Sequence, residues 1–118
     1  MGLDINFIKT KKIGYFRKVN FLVRFFEDRG YDINNMTLIS IDREDAEELL
    51  ARCHMVLEDH SRADELLPTI SGFFFGNTEY NEEYFQDVEE VKDYVQFILL
   101  KEFDNLKEDE EINFNIYY

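Results

Sequence analysis

Apolar and polar residues alternate at both ends of the chain. The apolar positions are Leu3, Ile5 and Phe7 near the start, and Ile112, Phe114 and Ile116 near the end. A period of two is typical of strands that bury one face. It predicts strands at about 2–9 and 111–117, and the β-forming run MTLISI predicts another at 36–41. We expect the first and last strands to pair, and Asn113 and Asn115 to form an exposed polar face.

Between the strands, apolar residues recur with the period of a helix. This pattern predicts three main helices: one from Tyr15 to Gly30, one after the N-cap residue Asp42, and one at about 81–107. A shorter helical turn precedes Pro68. The arrangement predicts an α+β fold, with the three helices packed on a small sheet in one domain spanning residues 1–118.

Composition narrows the class of protein. The 118 residues are 45% hydrophobic and 16% aromatic, which favours a folded domain over a disordered chain. No apolar run approaches the roughly 20 residues that span a bilayer, and the N-terminus lacks the apolar stretch of a secretory signal. The single cysteine, Cys53, fits a reducing compartment. These features predict a cytoplasmic protein that does not bind membranes.

Charge is unevenly distributed along the chain. The net charge is −13, from 26 acidic and 13 basic residues, which disfavours direct binding to nucleic acid or anionic lipid. Seven of the bases nevertheless lie within residues 9–29. They are Lys9, Lys11, Lys12, Arg17, Lys18, Arg24 and Arg29. Such a segment either pairs with the protein's own acids or receives an anion.

Part of this basic segment falls on one face of the first predicted helix. The residues at helical spacing are Arg17, Asn20, Phe21 and Arg24, with Lys18 beside them. Guanidinium groups around an aromatic ring suit a phosphate-bearing or planar ligand. The alternative is structural: the arginines pair with acids of the third helix, and Phe21 belongs to the core.

The segment TISGFFFGNTEY, residues 69–80, places three phenylalanines between two glycines. In an extended segment Phe73 and Phe75 would face one side and Phe74 the other, so at least one ring leaves the main core. The two glycines allow the backbone to bend tightly. The segment either lines a ligand cleft, contacts a partner, or forms a buried strand.

No recognisable signature of catalysis or metal binding occurs in the sequence. His54 and His60 lie six residues apart, whereas metal ligands on one helix are spaced by three or four. We therefore predict no metal, no cofactor and no named catalytic residue. Metal-assisted hydrolysis of a nucleotide is an enzymatic alternative, but the carboxylates are too numerous for one pair to be singled out.

Three segments together resemble a family of small proteins encoded by bacteriophages and prophages. They are MGLDINFIK, GYFRKVNFLVRFF and LLPTISGFFFGNTEYNEEYF, in the same order as in the family. The family's most specific motif is Leu-Pro-Thr-x-x-Gly-Phe-Phe-Phe-Gly-x-Thr. The family often has serine where this chain has Asn77. The resemblance implies a phage origin and a location in the host cytoplasm, and it implies no particular activity.

Small accessory proteins of phages often act by stoichiometric binding. We therefore predict a counter-defence protein that sequesters a small phosphorylated or nucleotide-like ligand, such as a host immune signalling molecule. The predicted ligand-binding residues are Tyr15, Arg17, Lys18, Asn20, Arg24, Ser71, Gly72, Phe73, Phe75, Gly76, Asn77, Thr78 and Tyr80. The alternative is an acidic inhibitor that mimics nucleic acid or docks on a basic host defence protein through Glu83, Asp87 and Glu90. A homodimer could build the ligand pocket from two chains, with phenylalanine rings of the 69–80 segment at the interface.

Overall fold

The computed structural model describes residues 2–72 and 76–118. The predicted ligand residues Phe73 and Phe75 lie outside these ranges. Within them, four strands form one antiparallel sheet, and helices pack on one of its faces. The predicted α+β fold is confirmed.

The sheet contains β1 (Asp4–Ile8), β2 (Lys12–Arg17), β3 (Ile39–Ile41) and β4 (Ile112–Tyr117), in the order β2-β1-β4-β3. The first and last strands pair along their whole length, so that Asn6 lies opposite Asn115 and Phe7 lies opposite Phe114. This pairing confirms the expectation from their matching alternation.

The start of the first helix was predicted wrongly. Residues 12–17 form β2, which completes a hairpin with β1, and helix α1 (Asn20–Asp28) begins only after it. Pairing with the open edge of β1 gives the backbone N–H and C=O groups of this segment hydrogen-bond partners. This pairing outweighs the helical spacing of its apolar residues. Lys18 then takes a left-handed conformation with φ of 60°, which turns the chain from the strand into the helix.

Gly30, the predicted stop signal of the first helix, follows the cap residue Arg29 of α1 and has φ of 97°. The amide of Gly30 donates to the carbonyl of Glu27, and that of Tyr31 donates to the carbonyl of Phe26. These two bonds, together with contact between the Tyr31 and Phe26 rings, define a Schellman motif. A backbone position with a left-handed conformation favours glycine, because glycine has no Cβ that would clash there.

The remaining helices lie close to their predicted positions. Helix α2 (Arg43–Glu58) is capped by Asp42, which exchanges hydrogen bonds with Asp45 in a capping box. A 3₁₀ turn (His60–Arg62) and α3 (Ala63–Leu66) follow. The third main helix is α4 (Glu82–Tyr94), which continues through a π-helical segment (Val95–Leu99) into α5 (Leu100–Asp104).

The π-helical segment changes which residues face the core. Ile98 follows the buried Val95 by three residues, a spacing typical of one helix face, but Ile98 is 45% exposed and Leu99 is fully buried. A π-helical turn contains more residues than an α-helical turn, so the inward position moves along the chain by one residue.

Aromatic rings fill the space between the sheet and the helices. Phe7 and Phe114 of the central strands contact Phe26 of α1, and Phe7 also contacts Tyr94 of α4. Phe21 is also buried, with its ring against that of Tyr84, as the structural alternative for that residue predicted. Among the helices of residues 2–72 and 76–118, none has the length and apolar character needed to cross a bilayer.

Asn113 and Asn115 do not form an exposed face, so that prediction was wrong. They point away from the core, as predicted, but only 9% and 8% of their surfaces are exposed. Neighbouring strands flank β4 on both sides, and Asn115 accepts a hydrogen bond of 3.0 Å from the amide group of Asn6.

Candidate functional site

A small pocket opens where β2 ends, α1 begins and α4 begins. Its volume is about 70 Å³. The residues that line it are Lys18, Val19, Asn20, Phe21, Thr69, Gly76, Asn77, Glu79, Asn81, Glu83, Tyr84 and Asp87. The pocket lies beside the start of α1 and residues 76–79, and its use as a ligand site stays a prediction.

One wall of the pocket depends on a close approach between Lys18 and Gly76. Gly76 has φ of 89°, and a Cβ placed on it would lie 3.2 Å from the Cβ of Lys18. Any larger residue at position 76 would therefore be strained and would push Lys18 aside. The backbone of Lys18 is itself fixed, because its amide donates to the carbonyl of Leu3 at 2.8 Å.

Asn20 attaches the 69–80 segment to α1. Its side-chain amide donates to the carbonyl of Asn77 at 3.0 Å, and its side-chain oxygen accepts from the amide of Ile70 at 3.3 Å. Asn20 is 3% exposed, so these bonds are shielded from water. The residue was predicted as a ligand donor, and in the structure it joins the two ends of the segment.

Thr69 holds the same two ends together from the other side. Its hydroxyl donates to the carbonyl of Thr78 at 2.9 Å, and its amide donates to the hydroxyl of Tyr80 at 3.1 Å. The segment between them therefore has its ends close together, like an Ω-loop. Residues 69–72 and 76–80 contain no helix or strand.

Negative charge dominates the pocket. Its charged lining groups are the carboxylates of Glu79, Glu83 and Asp87 and the ammonium of Lys18. Within the described ranges, none of the three carboxylates forms an ion pair. Burial, followed by repulsion from Glu90 and Glu83, raises the pKa of Asp87 to about 6.

The other predicted basic residues lie outside the pocket. Arg17 and Tyr15 are both exposed on β2. The hydroxyl of Tyr15 donates to the carboxylate of Asp4 at 2.7 Å. Arg24 forms an ion pair with Asp28 one turn along α1, at 3.1 Å. The predicted helix face with Arg17, Asn20 and Arg24 does not exist, because Arg17 belongs to a strand.

Four predicted ligand residues do meet at the pocket: Lys18, Asn20, Gly76 and Asn77. Ser71, Gly72, Thr78 and Tyr80 are exposed and do not line it. Glu83 and Asp87 of the alternative acidic face do line it, so the structure joins parts of two sites that the sequence analysis treated separately.

Glu79, Asn81 and Tyr84 were missed by the sequence analysis. Asn81 caps α4 by accepting from the amide of Tyr84, a role that its position before an acidic first turn could have indicated. The hydroxyl of Tyr84 donates to the carbonyl of Leu67 at 2.7 Å, and burial raises its pKa. Tyr84 is buried on the core face of α4, and its position at the pocket depends on tertiary packing.

Metal ligands do not gather in the described part of the chain: no three His, Cys, Asp or Glu side chains there are placed to hold an ion. Comparison with protein-family models, with curated proteins and with solved structures finds no match. The resemblance to phage proteins stays a prediction from the three sequence segments.

Proposed function

We propose that this protein acts by stoichiometric binding to a basic partner protein, one of whose lysine or arginine side chains enters the pocket. The observation that carries the proposal is the meeting of three carboxylates without ion pairs in the described ranges, those of Glu79, Glu83 and Asp87, around a cavity of about 70 Å³. A cationic head group from a partner would supply the opposite charge that these carboxylates lack.

The size of the pocket supports the same occupant. Sites for small organic ligands usually measure at least roughly 300 Å³, far more than this pocket contains. An ammonium or guanidinium group is only a few atoms across, and the rest of its side chain would lie along the exposed surface of α4. The carbonyls and side-chain amides that line the pocket add acceptors for its N–H groups.

The exposed acids of α4 extend the binding surface beyond the pocket. They are Glu82, Glu83, Glu89, Glu90 and Asp93, with Lys92 as the one base on the helix. Such a surface attracts basic partners over a distance and accelerates their association. Two parts of this proposal rest on the sequence resemblance. They are the phage origin and the choice of a host defence protein as the partner.

Sequestration of a phosphorylated ligand at this pocket is the weaker candidate. Lys18 and the two asparagines, Asn20 and Asn77, would suit a phosphate group. The three carboxylates would repel that group, and Asn20 already uses its side chain to hold the 69–80 segment. The charge of the pocket therefore favours a cation over an anion.

The proposal can be tested by NMR titration with the peptide acetyl-Gly-Arg-Gly-amide. We expect the amide signals of Lys18, Asn77 and Asp87 to shift. The triple variant Glu83→Gln, Asp87→Asn, Glu90→Gln should weaken binding by at least tenfold. The matched control Glu108→Gln, Asp109→Asn, Glu111→Gln removes the same charge from an exposed turn and should change affinity less than twofold.

Two results would contradict the proposal. One is equal weakening by the triple variant and its control, since this would mean that only the net charge matters. The other is a titration in which adenosine monophosphate shifts the pocket signals and the arginine peptide does not. The second result would restore the phosphorylated ligand at this pocket.

A further inference from the structure

The outer face of the sheet carries exposed aromatic and basic side chains. Because Ile5 and Phe7 point into the core, the alternate residues Asp4 and Asn6 point outward, and the residues opposite them in the register share this outer face. These partners are Arg17 and Tyr117 beside Asp4, and Tyr15 and Asn115 beside Asn6. We define the outer face by these six residues.

The two tyrosine rings of the outer face are available to a ligand. Tyr15 is 49% exposed and Tyr117 is 53% exposed. Tyr15 is held in position from two sides, because its hydroxyl donates to Asp4 and the ammonium of Lys12 lies 5.3 Å from its ring centre. A fixed ring loses little conformational entropy when a ligand stacks on it.

The strands that carry the outer face contain more basic than acidic residues, in contrast to the protein as a whole. Strands β1, β2 and β4 contain three charged residues: Lys12, Arg17 and Asp4. The Asp4 carboxylate already accepts the Tyr15 hydroxyl, whereas neither base forms an ion pair with a described residue. Two bases beside the exposed rings that form no ion pair with described residues, on a chain of net charge −13, indicate an anionic ligand.

We propose that the outer face binds a small ligand of the dinucleotide class, with its planar bases on Tyr15 and Tyr117 and its phosphate on Arg17. Tyr15 and Tyr117 lie two strands apart, about 10 Å across the sheet, which leaves room for sugar and phosphate between two stacked bases. The guanidinium of Arg17 can bind a phosphate with two parallel hydrogen bonds.

The polar floor beneath the rings agrees with this ligand. The side chains of Asn6 and Asn115 are hydrogen-bonded to each other, and the Oδ1 atom of Asn6 is buried with no partner among the described residues. A buried acceptor without a donor is costly, on the order of 1–3 kcal/mol. The exocyclic amino group of a base could supply that donor after a small movement of the rings above.

The strong net negative charge limits the length of the ligand. A long nucleic acid would extend past the sheet into the field of the acidic helices, whereas a dinucleotide would stay on the basic hairpin. This site is separate from the acidic pocket and does not depend on the function proposed for it.

The test is an NMR titration with the 5′-phosphorylated diadenylate pApA, with adenosine and inorganic phosphate as partial ligands. We expect pApA to shift the amide signals of Tyr15, Arg17 and Tyr117, and each partial ligand to bind at least tenfold more weakly. Tyr15→Ala and Tyr117→Ala should each weaken pApA binding at least fivefold, the lower end of what one stacked base contributes. Tyr15→Phe keeps the ring and should bind within about threefold of the wild type.

Controls and sedimentation complete the test. Phe97→Ala and Arg43→Ala remove an exposed ring and an exposed base that do not belong to the outer face, and should leave pApA binding unchanged. The proposal is wrong if pApA causes no shifts on the outer face at millimolar concentration, or if both Tyr15→Ala and Tyr117→Ala bind pApA like the wild type. It is also wrong if sedimentation shows a dimer that Tyr15→Ala or Tyr117→Ala dissociates, because the face would then bind a second copy of this chain.

Discussion

Gly14 lies in β2 directly against the ring of Tyr94. A Cβ at this position would be 2.3 Å from the hydroxyl oxygen of Tyr94, well inside contact distance. The ring cannot retreat easily, because it also packs against Phe7 and Phe16, at 5.3 and 5.4 Å between ring centres. The sequence gives no sign of this contact, since the two residues belong to elements that meet only in the folded protein.

We predict that Gly14→Ala destabilises the protein by about 2–3 kcal/mol, because overpacking displaces a buried ring or a strand. Urea denaturation measures the change. Gly30→Ala is the control: nothing lies within 4 Å of its added Cβ, so only the strain of its left-handed backbone remains, about 1 kcal/mol. If Gly14→Ala costs no more than this control, or if combining it with Tyr94→Leu gives simple additivity, the contact is unimportant.

Asp87 makes stability depend on pH in a direction opposite to that of ion-paired carboxylates. Its pKa is raised from 3.8 to about 6, so the folded protein holds this proton at a pH where the unfolded chain has released it. The contribution of Asp87 to stability therefore falls as the pH rises from about 4 to about 6, and stays low above that range.

We predict that Asp87→Asn raises stability at pH 7.5 by about 1 kcal/mol, a value reduced for solvent screening, and has no effect near pH 4. Thermal unfolding across this range measures the difference between variant and wild type. Glu89→Gln, at an exposed position of the same helix, should show no comparable pH dependence. A constant difference between Asp87→Asn and wild type at all pH values would contradict the prediction.

At the scale of helices and strands, the sequence predicts an element correctly when the spacing of its apolar residues fits only the structure that it adopts in the folded protein. Helix α2 is one, because its cap at Asp42 and its apolar stripe both lie in local sequence. Strand β2 is not: its residues fit a helix as well as a strand, and pairing with β1 decides between them. Asn20 and Gly76, which the sequence analysis named as ligand residues, line the pocket, but its acidic wall depends on how α4 packs beside α1.

The attachment of the 69–80 segment gives a prediction at this scale. Asn20→Ala removes the bonds to Asn77 and Ile70, and should destabilise the protein by about 1–3 kcal/mol. Hydrogen exchange should accelerate at residues 69–72 and 76–80 more than in the sheet. Asn81→Ala, which removes the cap of α4, should instead accelerate exchange in the first turn of that helix. Uniform acceleration in both variants would show that the segment does not open independently.

For the whole molecule, repulsion among the excess negative charges opposes folding. The ion pairs that offset it are mostly at the surface, such as Arg43 with Asp104 and Arg52 with Glu48, and pairs of this kind contribute little. Acids far outnumber bases, so repulsion among them is left uncompensated at low ionic strength.

We predict that the melting temperature rises by a few degrees when NaCl is increased from about 10 to about 300 mM, because salt screens this repulsion. Differential scanning calorimetry measures the rise. It should be smaller for the variant Glu83→Gln, Asp87→Asn, Glu90→Gln, which carries three fewer negative charges. A melting temperature that falls with salt would mean that ion pairs outweigh repulsion.

The adjacency of β1 and β4 also sets the order in which the fold can be completed during synthesis. Asn6 and Asn115, which bond across these strands, are 109 residues apart, so the centre of the sheet cannot form until residues 112–117 have left the ribosome. Until then β3 has no strand beside it, because β4 alone joins it to the hairpin. Loss of residues 112–117 would therefore divide the sheet at its centre, and the nascent chain must keep Ile5 and Phe7 from aggregating while it waits.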